Sequence, residues 1–305
     1  MTTNEAPHPG VAITGARSGL DDLGRLSAAR TVRQTRGDWT TPIMSTQDIR
    51  CRGVRLRVHR SGDGPPLLLI NGIGASLEMW RPVLGHLPGR DIITFDLPGA
   101  GRSAVPRVPL RMRSLANIVA ELLRKLRVGP ADVLGYSFGG VVAQELAYRH
   151  PTVVRRLILA ATAAGWPARP PSPLVTLLMM TPARYYDRRL AAAIVPVIAG
   201  GRTARDPAVL QASIDHRVAS PPTMRGYLQQ LYAITGWTSH PWLGRLQQPT
   251  LVLHGRHDPI VPIVNARLLA CRIPHATLTE IPGAGHMVLF DEPDRAAPEI
   301  NRFLS

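Results

Sequence analysis

Hydrophobic positions fall along this chain in alternating rhythms. Short apolar runs recur at Leu67–Ile70, Asp91–Phe95, Asp132–Tyr136 and Leu157–Ala161, the pattern of strands buried on both faces. Val54–His59 alternates instead, with Val54, Leu56 and Val58 on one side, as a half-buried strand does. Between the strands come helical spacings. Leu115, Ile118, Val119, Leu122, Leu123 and Leu126 form one apolar stripe, which predicts a helix over Ser114–Leu126 with Ser114 as its N-cap. A second helix is predicted over Gly139–Arg149. The rhythm lapses from about Gly165 to Leu246, where Pro, Arg, Met and aromatic residues are frequent and helix-like pieces follow one another without strands. It resumes with a strand at Pro249–Gly255, a helix near Val264–Leu269, a strand at Ala276–Ile281 and a last helix from about Asp294.

Repeated strand–helix units predict an α/β fold with a mostly parallel central sheet and helices on both faces. Residues 49–164 and 247–305 then form the core, and residues 165–246 read as an inserted helical lid. Residues 1–48 lack periodicity and are rich in Thr, Ser, Gly, Arg and Asp, the composition of a flexible basic extension. Met44 stands just before the first alternation and offers an alternative natural start, with residues 1–43 outside the protein.

Charge and composition exclude several classes. The formal net charge is +15, but the 36 basic residues, all arginine except Lys125, are scattered and form no run. That describes a solvated basic surface rather than a nucleic-acid site, so no nucleic acid is expected and an anionic or lipid surface is the compatible neighbour. Cys51 and Cys271 stand far apart in neither disulfide-scaffold nor metal spacing, which fits a reducing, cytoplasmic compartment. No basic stretch leads into an apolar signal region. The longest apolar candidate, Leu190–Ala199, contains Pro196 and is well short of the ~20 residues of a membrane span. Nothing in the pattern specifies an oligomeric state.

The chemistry gathers at strand ends. Gly135-Tyr136-Ser137-Phe138-Gly139 reads G-x-S-x-G between a predicted strand and a predicted helix, the context of a nucleophile elbow. Ser137 must there adopt a strained backbone to lift its hydroxyl above the sheet, with glycines keeping Cβ atoms out of the turn. A serine needs a base, and the base an orienting acid. In chain order Ser, acid, His, Asp258 follows the strand at Pro249–Gly255, and His286 lies in a glycine-flanked loop after the strand at Ala276–Ile281. His254 and His257 lie on that strand and beside the acid, so neither is placed as a base; Asp291 follows His286 and breaks the order. Backbone donors for an oxyanion are expected from Phe138 N–H and from the glycine turn Asn71-Gly72-Ile73-Gly74, with Ile73 N–H the chosen one. That turn lacks both the full dinucleotide fingerprint and the Lys-Ser/Thr of a phosphate loop. Asp96, in Phe95–Ser103, reads as a residue that ties down its turn.

The elbow, the D-x-P-G-x-G-x-S turn at Asp96–Ser103, the acid loop and the histidine loop together resemble the α/β-hydrolase superfamily, from about residue 50 to 304. Within it, "PLLLINGIGASLE", "LILAATAAG", "GWTSHPWLGRLQQPTLVL" and "ARLLACRIPHA" are similar to intracellular medium-chain-length poly(3-hydroxyalkanoate) depolymerases. Asn-Gly-Ile-Gly stands where H-G-x-x is common elsewhere in the superfamily. Phe138 stands where those depolymerases carry Trp, and the extension before residue 49 has no counterpart in them. The resemblance implies attack by Ser137 on a 3-hydroxyacyl ester, His286 as base and then acid, Asp258 as its orienting partner, and no metal or organic cofactor. The implied partner is a polyester or small-molecule ester, with contact to a granule or lipid surface. Met179, Met180, Tyr185 and Trp237, along with Tyr186, Tyr232 and Trp242, read as an apolar channel for acyl chains, or else as the lid's own small core. Asn71 reads as a substrate contact or as a hydrogen bond that fixes its loop. Two alternatives share these residues: a cofactor-free haloperoxidase or perhydrolase, in which peroxide replaces water, and a non-catalytic ligand-binding relative.

Overall fold

A computed structural model describes residues 45–305. Strands β1 (Gln47–Cys51), β2 (Val54–Ser61) and β3 (Pro66–Ile70) are followed by a single 3-10 turn and α1 (Arg81–Leu84). Then come β4 (Asp91–Phe95), α2 (Met112–Lys125), β5 (Ala131–Tyr136), α3 (Phe138–Arg149) and β6 (Val154–Ala160). Four helices intervene: α4 (Pro173–Met179), α5 (Arg188–Ala199), α6 (Pro207–Ala219) and α7 (Met224–Ile234). The chain ends with β7 (Thr250–Gly255), α8 (Ile263–Arg272), β8 (Ala276–Ile281), α9 (Val288–Asp291) and α10 (Pro293–Leu304).

The strands form one sheet in the order β1-β2-β4-β3-β5-β6-β7-β8. β1 and β2, and β2 and β4, pair antiparallel; every other pair is parallel. Side chains alternate between two cores, as the pleat requires. Leu68, Ile70, Val133, Leu157 and Val252 pack under α2, α3 and α8. Leu67, Leu69, Leu134, Ile158 and Leu253 pack on the opposite face under α9 and α10, joined by Val195 of α5. None of the described helices is long and apolar enough to cross a membrane.

Several boundaries differ from the sequence reading. The helix expected at Ser114 begins at Met112, and its N-cap is Arg111, whose side chain makes no capping bond. Met112 is buried and extends the apolar stripe by one turn, so packing sets the start rather than a serine cap. The extension expected over residues 1–48 lies outside the described residues up to 44, while Gln47 and Asp48 already pair with Val58 and Arg57. The strand expected to reach Ala161 stops at Ala160, because Ala161 turns to φ 48°.

Candidate active site

The turn around Ser137 is built by backbone. Ser137 holds φ 53° and ψ −116°, a conformation that costs a non-glycine residue roughly 1–3 kcal/mol. Its N–H donates to Ala160 O at 2.9 Å, and its carbonyl accepts from Thr162 Oγ1 at 2.8 Å and Gly140 N at 2.9 Å. Those three bonds, from β6, the residues just after it and α3, over-determine the turn. A Cβ on Gly139 would stand 2.0 Å from Ile70 O, so only glycine lets α3 start against the end of β3.

The structure brings Ser137, His286 and Asp258 together. His286 Nε2 lies 3.0 Å from Ser137 Oγ, and His286 Nδ1 lies 2.8 Å from Asp258 Oδ2. A carboxylate only accepts, so Nδ1 carries the proton and Nε2 is left bare toward the hydroxyl. Asp258 Oδ1 accepts from Ile260 N and Val261 N, each at 2.9 Å. His254, set aside as a base, supports the acid: its Nε2 is 2.8 Å from Val261 O and 3.3 Å from Asp258 Oδ2, and its side chain is fully buried. Burial pushes the Asp258 carboxyl up, but the imidazoles of His286 and His254 outweigh burial and hold it at about 2. The stability this depressed carboxyl contributes is therefore present above the ordinary carboxylate range and is lost as pH falls through about 2. His257 is exposed. Asp291 accepts from Thr203 N at 3.0 Å and from the Thr203 hydroxyl, whereas His286 Nδ1 is bonded to Asp258.

The histidine loop is held by α5. His286 N donates to Ala199 O at 2.7 Å. A Cβ on Gly285 would lie 2.1 Å from Ala199 O, and one on Gly201 would lie 2.2 Å from Gly285 N. Here two backbones touch directly. Tyr136 adds a tilted ring contact to His286 with centroids 5.3 Å apart.

Gly72 and Ile73 line the same cavity as Ser137 and His286. Tyr185 donates to Ile73 O at 3.0 Å, and Gly74 N donates to Gln230 Oε1 at 2.8 Å. Those bonds fix the peptide planes of the turn, leaving Ile73 N–H, like Phe138 N–H at the start of α3, without a protein acceptor among the described residues. Asp96 ties down its own turn as expected: its carboxylate accepts from Leu77 N at 2.6 Å and Arg102 N at 2.8 Å.

Of the two readings of Asn71, the structure bears out the hydrogen bond that fixes the loop and not the substrate contact. It is fully buried and absent from the cavity wall. Its Nδ2 donates to Ser76 O at 2.7 Å and its Oδ1 accepts from Gly72 N at 3.1 Å. Asn71→Ala strands both backbone groups in a dry interior, at a cost of about 2–4 kcal/mol. Urea denaturation should show that loss, accompanied by a fall in kcat as the Gly72–Ile73 turn loosens.

Met179 and Tyr185 line the cavity, joined by Met79, Ile198 and Ile260. Met180 and Trp237 do not. Met180 is exposed on the outer surface. Trp237 donates to Glu145 Oε2 at 2.9 Å and packs edge-on against Trp242, which stacks on Tyr148; these rings cover the back of α3. Tyr232 lies under Arg111, 4.0 Å from its guanidinium carbon. Arg184, Arg217 and Gln230 were missed by the sequence reading. Nothing in the sequence separates these two arginines from 33 others, and Gln230 lies in a helix with no motif.

A family model described as the α/β hydrolase fold matches residues 65–293. The poly(3-hydroxyalkanoate) depolymerase of Ectopseudomonas oleovorans is 44% identical over 242 residues, covering 78% of this chain and 84% of that protein. The pimeloyl-[acyl-carrier protein] methyl ester esterase of Chromobacterium violaceum is 31% identical over 241 residues, covering 76% of this chain and 91% of that one. The crystal structure of the enol-lactonase from Burkholderia xenovorans LB400 matches with a TM-score of 0.74 at 27% identity, covering 85% of this chain and 99% of that chain. With a mostly parallel eight-stranded sheet and these relatives, the chain belongs to the α/β-hydrolase fold family and is an ester hydrolase.

Proposed function

We propose that the protein is a serine hydrolase that cleaves 3-hydroxyacyl esters, acting as a poly(3-hydroxyalkanoate) depolymerase or a related medium-chain esterase. One observation carries the mechanism: the unbroken relay from Asp258 through His286 to Ser137 at 2.8 and 3.0 Å. Ser137 Oγ attacks the ester carbonyl while His286 Nε2 takes its proton. Ile73 N–H and Phe138 N–H hold the oxyanion, helped by the positive end of α3. His286 returns the proton to the leaving alkoxide, then activates the water that releases the acid, and Asp258 stabilises the imidazolium in both steps. Similarity to the Ectopseudomonas oleovorans enzyme supports the polyester.

The surface supports it as well. Of the twelve large hydrophobic side chains exposed among the described residues, ten lie between residues 165 and 246, Val108 and Val264 being the exceptions. On this reading residues 165–246 form a lid over the core of residues 49–164 and 247–305, and its apolar face meets a water-insoluble granule or lipid surface in the cytoplasm. Leu174 and Leu177 of α4 are 57% and 68% exposed. Replacing both with Asp should lower the rate on dispersed medium-chain polyester, relative to soluble esters, by roughly tenfold or more.

The test assays wild type and Ser137→Ala on p-nitrophenyl esters of graded length and on dispersed polyester. Equal rates for the two proteins would refute the mechanism. Cleavage of short soluble esters alone would remove the polyester and leave the esterase.

A further inference from the structure

Two guanidinium groups lie in the wall of the cavity that holds Ser137 and His286, and the mechanism above uses neither. Arg184 is well accommodated. It donates to Thr181 O at 2.9 Å and Tyr227 Oη at 2.9 Å, and its guanidinium carbon lies 4.8 and 5.4 Å from the ring centroids of Tyr185 and Tyr227. Those carbonyl, hydroxyl and ring contacts suit a buried cation.

Arg217 is not accommodated in this way. It is carried into the cavity wall by α6 and is 8% exposed. Nη1 donates to Ser213 O at 3.2 Å and to the Ser213 hydroxyl. Nη2 faces the Met287 sulfur at 3.5 Å, a weak acceptor. Nε is buried without any partner. Neither guanidinium forms an ion pair with a carboxylate of the described residues. Burial works against the charge on Arg217, and Arg184 adds repulsion; Tyr185, Tyr136 and Asp291 offset part of this. Asp291 has one oxygen committed to Thr203. A guanidinium nevertheless keeps its proton. A buried cation with spare donors thus stands in the wall of a reaction cavity, where leaving it unpaired is costly.

Its position fixes what it can meet. Met287 directly follows His286, and Tyr136 directly precedes Ser137; the Tyr136 hydroxyl donates to the same Met287 sulfur at 3.4 Å. Arg217 therefore shares the cavity wall with the reacting groups, and a flexible thioether is all that Nη2 must give up to bind an anion.

We infer that Arg217 binds a substrate carboxylate, so that the preferred substrate is a 3-hydroxyacyl ester ending in a free acid, and cleavage proceeds from the acid end of a chain. The inference deepens the proposed ester hydrolysis and rests on it for the reaction. In such a chain the terminal carboxylate carbon is three bonds beyond the oxygen of the last ester. The proposal requires that, with the carboxylate on Arg217, this ester lies at Ser137 in the same cavity. The Ser137 Oγ–acyl bond forms and the acyl–oxygen bond breaks. The departing alkoxide takes the proton from His286 Nε2 and leaves as a 3-hydroxy carboxylate. Water then transfers the shortened acyl chain off Ser137, completing hydrolysis of one ester by one water. An interior ester of the polymer, neutral on both sides, leaves the guanidinium unpaired.

The test compares kcat/KM for a medium-chain 3-hydroxy acid trimer with a free carboxylate and for the same trimer capped as a methyl ester. Wild type should prefer the free acid by roughly tenfold or more. Arg217→Gln should bring that ratio close to one, and Arg217→Lys should restore part of it, which a merely structural arginine would not do. A wild-type ratio near one overturns the inference, as does a ratio preserved in Arg217→Gln. Should Arg217→Gln fail to fold, the wild-type ratio still decides. A second arm titrates 3-hydroxyoctanoate and its methyl ester into Ser137→Ala by calorimetry: tighter binding of the acid is expected, and equal binding refutes the carboxylate site. If wild type hydrolyses no ester, the proposed function fails and this titration still judges Arg217. If it hydrolyses esters without acid preference, the function stands and the inference falls.

Discussion

Ser137→Ala should lower kcat on medium-chain esters by on the order of 10⁶-fold. The substitution removes the only atom of Ser137 that His286 Nε2 meets, Oγ at 3.0 Å, and leaves the cavity without a nucleophile to form the acyl-enzyme. It should cost little stability. Alanine at φ 53° is as strained as serine there, and the backbone bonds to Ala160 and from Thr162 that hold the turn do not involve Oγ. Some rate above water should persist, because the proposed donors Ile73 N–H and Phe138 N–H are untouched. The clean measurement is a single turnover with excess enzyme, in which wild type shows an acyl-enzyme burst and the variant shows none. A variant that keeps more than a few per cent of wild-type kcat would mean that the hydroxyl is not the nucleophile.

Asp258→Asn should lower kcat by about 10⁴-fold through the tautomer of His286. The direction follows from bonds specific to this loop. Asp258 Oδ1 accepts two backbone N–H groups, from Ile260 and Val261. An asparagine must keep its carbonyl oxygen on that side, because an amide NH₂ there would face two donors. Its NH₂ is thereby turned toward His286 Nδ1, which has to become an acceptor. The ring proton moves to Nε2 and faces Ser137 Oγ, where a bare nitrogen is needed. The same NH₂ also confronts the Nε2–H of His254, 3.3 Å from the present Oδ2, so a loss of stability should accompany the loss of rate. Proton NMR of the His286 ring would register the tautomer change directly. An Asp258→Asn variant with near-normal kcat would break the assignment of the acid.

Much of this was legible in the sequence because it is periodic or local. Leu67 to Ile70 alternates between two cores within four residues, and a glycine-flanked serine between a strand and a helix has few other uses. Chain order placed Asp258 ahead of His286 without any coordinates. What escaped was the side of the cavity built by α4 to α7. Met179 and Met180 are neighbours in sequence, yet one lines the cavity and the other is exposed, because one residue turns a side chain about 100° around a helix. Trp237 and Trp242 looked like an acyl channel and instead cover the back of α3, since a buried aromatic has the same composition whichever wall it packs against. Arg217 was invisible for the opposite reason: among 35 arginines, it is burial in the cavity wall without a carboxylate partner that marks this one. Asn71 showed its position in a loop, and its bond to Ser76 five residues on needed the folded turn to appear.

The meeting of α5 with the histidine loop bears on how this enzyme can be recombined with its relatives. Ala199 to Gly201 and Gly285 to His286 touch backbone to backbone, with no side chain between them to absorb a misfit. A chimera that imports the helical segment from another hydrolase joins a foreign helix end to this loop. Any Cβ arriving at position 201 displaces Gly285, and with it the imidazole one residue away. Grafts should therefore retain activity when the two stretches are exchanged as a matched pair, and lose it when a crossover separates them, however well the imported helices pack elsewhere.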